Sequence, residues 1–130
     1  MIYIKNAKIL TMAGKDYENG FISVKDGKIS GIGEMADMPD TEAADTIIDA
    51  AGMVLMPGLV DSHCHIGLVE DSVGLEGDDV NEMTDPITPQ LRAIDGIYHG
   101  DRAFEEARQN GVTTVVTGPG SANVIGGQFA

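Results

Sequence analysis

The sequence predicts an α/β fold, and three patterns carry that prediction. Two β-rich runs, Leu59 to Ile66 and Val112 to Thr117, flank a helical pattern between Asp101 and about Asn110, which makes one strand–helix–strand unit. Ahead of it, residues 1 to 57 break into short strands punctuated by turns. Among those turns, Asp26-Gly27 is the preferred two-residue hairpin loop, because both central positions need positive φ.

Taken in order, the first strand begins at Ile2-Tyr3-Ile4 and continues through Lys8-Ile9-Leu10. The hairpin then joins Phe21-Ile22-Ser23-Val24 to Ile29-Ser30-Gly31-Ile32 across Lys25-Asp26-Gly27-Lys28. From Glu34 to Asp45 the mixture of Pro39, acids and alanines has no period, and it reads as a loop with a frayed helical turn. Two further strands follow at Thr46-Ile47-Ile48-Asp49 and Met53-Val54-Leu55-Met56, separated by a turn at Ala51-Gly52. In the second half, Thr88-Pro89 has the form of a helix start, threonine as N-cap and proline at the first helical position. The next helix has Asp101 as its cap, an apolar stripe of Ala103, Phe104 and Ala107, and Gly111 just past its end. The β-branched run Val112-Thr113-Thr114-Val115-Val116-Thr117 closes the unit as a strand.

Composition excludes several classes of function. With 42% hydrophobic and 22% charged residues the chain is an ordinary globular one, and the absence of Trp implies an aliphatic core. A net charge of −13 disfavours nucleic acid and anionic membrane surfaces, since both need clustered Lys and Arg. One cysteine excludes an internal disulfide, and Met1-Ile2-Tyr3-Ile4-Lys5 lacks the basic and apolar regions of a signal peptide, so a cytoplasmic location is expected. No apolar run approaches the roughly 20 residues that span a bilayer.

The most informative residues are Pro57-Gly58-Leu59-Val60-Asp61-Ser62-His63-Cys64-His65. In an extended strand successive side chains alternate between faces, so His63 and His65 point the same way and their ring nitrogens can converge on one ion. Neutral imidazoles suit zinc, nickel, iron or manganese. Asp61 shares their parity one layer deeper, where it can orient a ligand imidazole or fill the interior. Cys64 faces the other way and reads as a small apolar packing residue.

These nine residues match at every position the pattern Pro-Gly-hydrophobic-hydrophobic-Asp-x-His-x-His, and the segment resembles the first barrel strand of the amidohydrolase superfamily, metal-dependent hydrolases of amide, ester and related C–N bonds. The branch it is most similar to is that of imidazolonepropionase-like and Xaa-Pro-dipeptidase-like amidohydrolases. The resemblance implies that residues 1–57 are N-terminal strands of a composite β-sandwich, and that residues 58–130 begin a TIM (β/α)8 barrel. Such a barrel takes about 250 residues, so in a chain of 130 it is incomplete. The ending Gly126-Gly127-Gln128-Phe129-Ala130 has no capping chemistry, and the chain reads as the truncated front of a longer enzyme, inactive alone.

On the same resemblance His63 and His65 are metal ligands for one or two divalent ions, zinc foremost. The remaining ligands, a lysine or glutamate, two histidines and an aspartate, come from later strands. No catalytic residue is assignable within these residues. The expected partner is a small-molecule substrate, a cyclic amide, an N-acyl compound or a dipeptide, and uncovered sheet edges and apolar faces imply self-association.

Other motifs have plainer readings. Gly118-Pro119-Gly120-Ser121-Ala122-Asn123 lacks the last glycine of a dinucleotide-binding turn and reads instead as a loop at the barrel mouth, where Ser121, Asn123 and Gln128 can offer hydrogen bonds to substrate. The acidic span Gly67 to Ile87, with Glu70, Asp71, Glu76, Asp78, Asp79, Glu82 and Asp85, is long enough to suggest function. Its Asp79-Val80-Asn81-Glu82-Met83 stretch lacks the central glycine of an EF-hand and reads as a solvated loop. His99 reads as a solvated or hydrogen-bonded histidine. The alternative to catalysis is a binding or assembly module whose histidines are structural.

Overall fold

The computed structural model describes residues 1–43, 45–70 and 73–130, so that Asp71 of the acidic span lies outside the described residues. The architecture is mixed α/β and rich in strands. It divides into two compact units, Met1–Pro57 and Gly58–Ala130.

The first unit is a five-stranded sheet built around β1 (Ile2–Ile9). On one side β1 pairs antiparallel with β2 (Tyr17–Lys25), which pairs antiparallel with β3 (Lys28–Glu34) at the edge. The connecting hairpin has the predicted chemistry: Asp26 and Gly27 both take positive φ, 51° and 74°, the backbone twist that matches the flanking strands. On its other side β1 pairs in parallel with β4 (Thr46–Asp49) and then β5 (Val54–Leu55). These two are halves of one edge, joined by a tight turn. Ala50 and Gly52 donate their N–H groups to the carbonyls of Lys5 and Asn6, and Lys8 N–H returns to Met53 O. Between Glu34 and β4 the expected helical turn forms as a short 3-10 helix, Met35–Asp37.

A bulge in β1 sets the core. Asn6 has φ 55° and the register with β2 shifts between Ile4 and Ala7. The extra residue reverses the alternation, so that Ile4 before it and Ala7 and Ile9 after it pack on one cluster with Ile22 and Ala50. Ile9 is 1% exposed at its centre. The Asn6 side chain braces the bulge by donating to both Asp49 carboxylate oxygens at 3.0 Å, and these bonds hold the Asp49 carboxyl below its ordinary value. One open groove of this unit, lined by Ile4, Ile22, Ile29, Ile32, Leu55 and Met56 among others, has a volume of about 640 Å³.

The second unit holds β6 (Leu59–Cys64) and β7 (Val112–Thr117), paired in parallel with Asp61 opposite Val115 and Cys64 opposite Thr117. Strand β6 stops at Cys64, two residues short of the predicted Ile66, because the chain turns there: Leu68 N–H donates to His65 O. A short turn of helix, α1 (Ala93–Gly96), precedes α2 (Arg102–Gln109), which packs on β7. The α2 signals work as read: the Asp101 side chain accepts from Ala103 N–H, Asn110 is the C-cap and Gly111 follows.

The expected helix at Thr88-Pro89 does not form. Thr88 is buried, and both its N–H and its hydroxyl go to the carbonyl of Ile125, at 2.8 and 3.2 Å. Pro89-Gln90 makes a turn instead, with Leu91 N–H on Thr88 O. Long-range pairing of Ile87 with Ile125 and of Arg92 with Gln128 outweighs the local capping preference.

Candidate metal centre

The two segments that leave β6 and β7 emerge from the same end of the parallel pair, the carboxyl end, where parallel sheets place their ligands. They are knitted together. Gly120 N–H donates to Val80 O, and the Asn123 amide donates to Glu82 O at 2.7 Å and Asp85 O at 3.2 Å. The Gln128 amide donates to Pro89 O at 3.1 Å. The Asn123 and Gln128 amide groups therefore hold loop to loop, and Ser121 is exposed at the turn. Across the acidic segment the Thr84 hydroxyl and N–H both bond Glu82, at 2.5 and 2.6 Å, which keeps the Glu82 carboxyl below its ordinary value.

His63 and His65 lie at this end of β6 with ring centres 5.4 Å apart and planes 86° to each other. Imidazoles bound to one zinc through nitrogens at about 2.0–2.1 Å have ring centres roughly 3.2 Å from the ion, which a tetrahedral angle separates by about 5 Å. The observed spacing suits a shared cation. Nδ1 of His65 lies 2.6 Å from the carbonyl oxygen of Gly118, the first residue after β7. A carbonyl can only accept, so Nδ1 carries the proton, and in the neutral ring Nε2 is left with its lone pair for a metal. The His63 ring makes no hydrogen bond among the described residues and rests against Phe129, with ring centres 5.1 Å apart.

Asp61 serves the backbone. Its Oδ1 accepts from the N–H of His63 at 3.1 Å, while the acceptor on a ring nitrogen is the Gly118 carbonyl, which has no side-chain signature in sequence. Sequence reading also passed over Thr117. It is buried at the end of β7, and its hydroxyl donates to Ile66 O at 2.8 Å while Gly118 N–H donates to Cys64 O at 3.1 Å. These bonds bracket His65 from both sides. Cys64 is half-buried and unpaired, and His99 is exposed beside Tyr98. Among the described residues no group of three or more His, Cys, Asp or Glu side chains converges. A separate groove of about 310 Å³ lies among the loops of this unit, lined by Leu68, Asp79, Glu82, Arg92, Asp95 and others, and among its lining residues is neither histidine.

Comparison with known proteins gives the class. No family model matches the chain. Over 114 residues it is 41% identical to amidohydrolase tasK of Hapsidospora irregularis, covering 85% of this chain and 11% of that protein. It is 50% identical over 70 residues to a 5′-deoxyadenosine deaminase of Methanosarcina acetivorans, covering 52% of this chain and 15% of that one. A crystal structure of an amidohydrolase from Thermotoga maritima superposes with a TM-score of 0.89 at 41% identity, covering all of this chain and 33% of its own. The chain belongs to the amidohydrolase superfamily, a family of hydrolytic C–N bond enzymes. It spans between 11% and 33% of the length of these relatives.

Proposed function

We propose that this chain carries the first metal-binding strand of a divalent-metal amidohydrolase, with His63 and His65 as ligands and zinc as the ion. The observation that carries the reading is the pair of rings 5.4 Å apart with His65 Nδ1 committed to Gly118. In this reading Gly58–Ala130 is the start of a (β/α)8 barrel and Met1–Pro57 the beginning of a β-sandwich, and further ligands come from later strands. The ion, when bound, polarises a substrate carbonyl and brings the pKa of water to about 7, so that hydrolysis proceeds near neutrality. The histidines hold the ion and move no proton. Gly118 fixes the His65 tautomer, and Asp61 holds the strand backbone at His63. Ser121, exposed in the loop after β7, would hydrogen-bond a small-molecule substrate in this reading. Among the described residues no helix is long and apolar enough to cross a membrane.

The substrate class is a cyclic amide, an N-acyl compound or a dipeptide. A second reading, removal of an amino group from a heterocyclic ring, has its own support in the relatives named as deaminases. Metal analysis tests the common core. Full-length protein should hold at least one divalent ion that the His63→Ala/His65→Ala variant loses, and unchanged metal content in that variant would favour the binding-module alternative. Parallel hydrolysis assays on an N-acyl amino acid and on an aminopurine then separate the two substrate readings.

A further inference from the structure

We infer that Asp101 is a positioning residue for the metal ligand His65, a role additional to capping α2; this rests on the metal-binding reading above. A helix cap needs one acceptor oxygen, and serine, threonine or asparagine supplies it as well as aspartate. Asp101 uses Oδ1 for that purpose, on Ala103 N–H at 3.0 Å. Its second oxygen, Oδ2, accepts from the N–H of Gly67 at 3.1 Å, across 34 residues of chain, and the side chain is buried with the residue 5% exposed. Only a carboxylate can accept on both sides here, because an asparagine would turn its NH2 group toward one N–H or the other.

Gly67 stands two residues after His65 and is held on every side. Its carbonyl accepts from Tyr98 N–H at 2.8 Å, and Asp101 N–H returns to Tyr98 O at 3.1 Å. With φ of +83° it occupies the left-handed region, and a β-carbon there would lie 2.9 Å from Ile97 Cγ2 and 3.0 Å from Phe104 Cε2. The turn that ends β6 is thus pressed against α2 and pinned to its cap residue, Asp101. On the other side Thr117 holds Ile66 O and Gly118 holds the His65 ring. Hydrogen bonds at Cys64 O, Ile66 O and Gly67 N–H thus flank the backbone of His65. Loss of the Gly67 anchor frees that side of the turn and lets the His65 ring move off its Gly118 acceptor, as loss of supporting hydrogen bonds loosens metal ligands elsewhere.

The test uses full-length protein loaded with cobalt(II), whose visible absorption reports ligand geometry without reference to activity. Asp101→Ser keeps a cap and lacks the acceptor for Gly67; Asp101→Asn keeps a cap and presents a donor to a donor. Both should retain the helical circular dichroism of the parent while binding cobalt about tenfold more weakly or worse, with an altered absorption band. Folded Asp101→Ser or Asp101→Asn protein with the parent's cobalt affinity and spectrum would overturn the proposal and leave the metal reading standing; should one variant not fold, the other decides. If instead His63→Ala/His65→Ala binds cobalt like the parent, the metal reading itself fails, and this inference fails with it.

Discussion

Replacing Thr117 by valine removes one oxygen and almost no volume. Thr117 is 3% exposed, and its hydroxyl donates at 2.8 Å to the carbonyl of Ile66, the residue that follows His65. Valine preserves shape and β propensity, so neither a cavity nor a strand penalty enters. What remains is a part-buried acceptor without its partner, which costs about 1 to 3 kcal/mol. Thr114, on the same strand and exposed, provides the control, since surface substitutions away from such bonds change stability by roughly 0.5 kcal/mol or less. Urea unfolding with an unchanged slope of about 2 kcal/mol/M translates the Thr117→Val loss into a midpoint lower by about 0.5 to 1.5 M. Equal midpoints for Thr117→Val and Thr114→Val would refute the reasoning, and with it the claim that the end of β7 braces the histidine segment.

In the first unit Ile9→Ala should cost about 2 to 5 kcal/mol in denaturant titrations, because Ile9 is 1% exposed at the centre of the cluster, while Leu75→Ala, 90% exposed, should stay within about 0.5 kcal/mol. Stability should fall on acidification. The carboxyls of Asp49, held down by Asn6, and Asp45, held down by the N-terminal amine, have folded values below their unfolded ones. Each contribution is present above the unfolded value near pH 4 and is lost as pH falls through the folded one. Asp49→Asn should flatten that acid limb in thermal melts between about pH 5 and pH 2, and an unchanged limb would show that the Asn6 bonds carry no weight. The aliphatic groove bordered by Ile29, Ile32 and Met56 should make the isolated chain associate, with apparent mass rising with concentration in light scattering; a constant mass of 13.7 kDa would contradict this.

Where chemistry is local, the sequence was legible. Asp26-Gly27, the Asp101 cap with Gly111 beyond the helix, and the β-branched run of β7 each answer to a few neighbouring residues, and each takes the expected form. Distant partners were not legible. Nothing near Asn6 announces the bulge that brings Ile4 and Ile9 to one core, because its support is Asp49. Thr88 has the right neighbour for a cap, yet its hydroxyl is taken by Ile125, 37 residues away. Asn123 and Gln128 offer free amides on paper, and in three dimensions those amides bond the backbone of Glu82, Asp85 and Pro89. At the candidate centre the His-x-His spacing could be read directly, but strand β6 ends at Cys64, so the placement of His65 depends on the turn that follows. The group that fixes the His65 tautomer is a backbone carbonyl, which leaves no side-chain mark in the sequence, and the pairing of β6 with β7 puts Gly118 there.

The account stands on His65 keeping its Nδ1 proton for Gly118 and offering Nε2 to a cation. Nitrogen-15 NMR of the imidazoles reads this directly, since protonated and unprotonated ring nitrogens resonate far apart. At a pH where the ring is neutral, Nδ1 of His65 should report as the protonated nitrogen, and added zinc should shift Nε2 of both His65 and one nitrogen of His63 while Nδ1 keeps its proton. A His65 ring protonated on Nε2, or rings indifferent to zinc, would contradict the account.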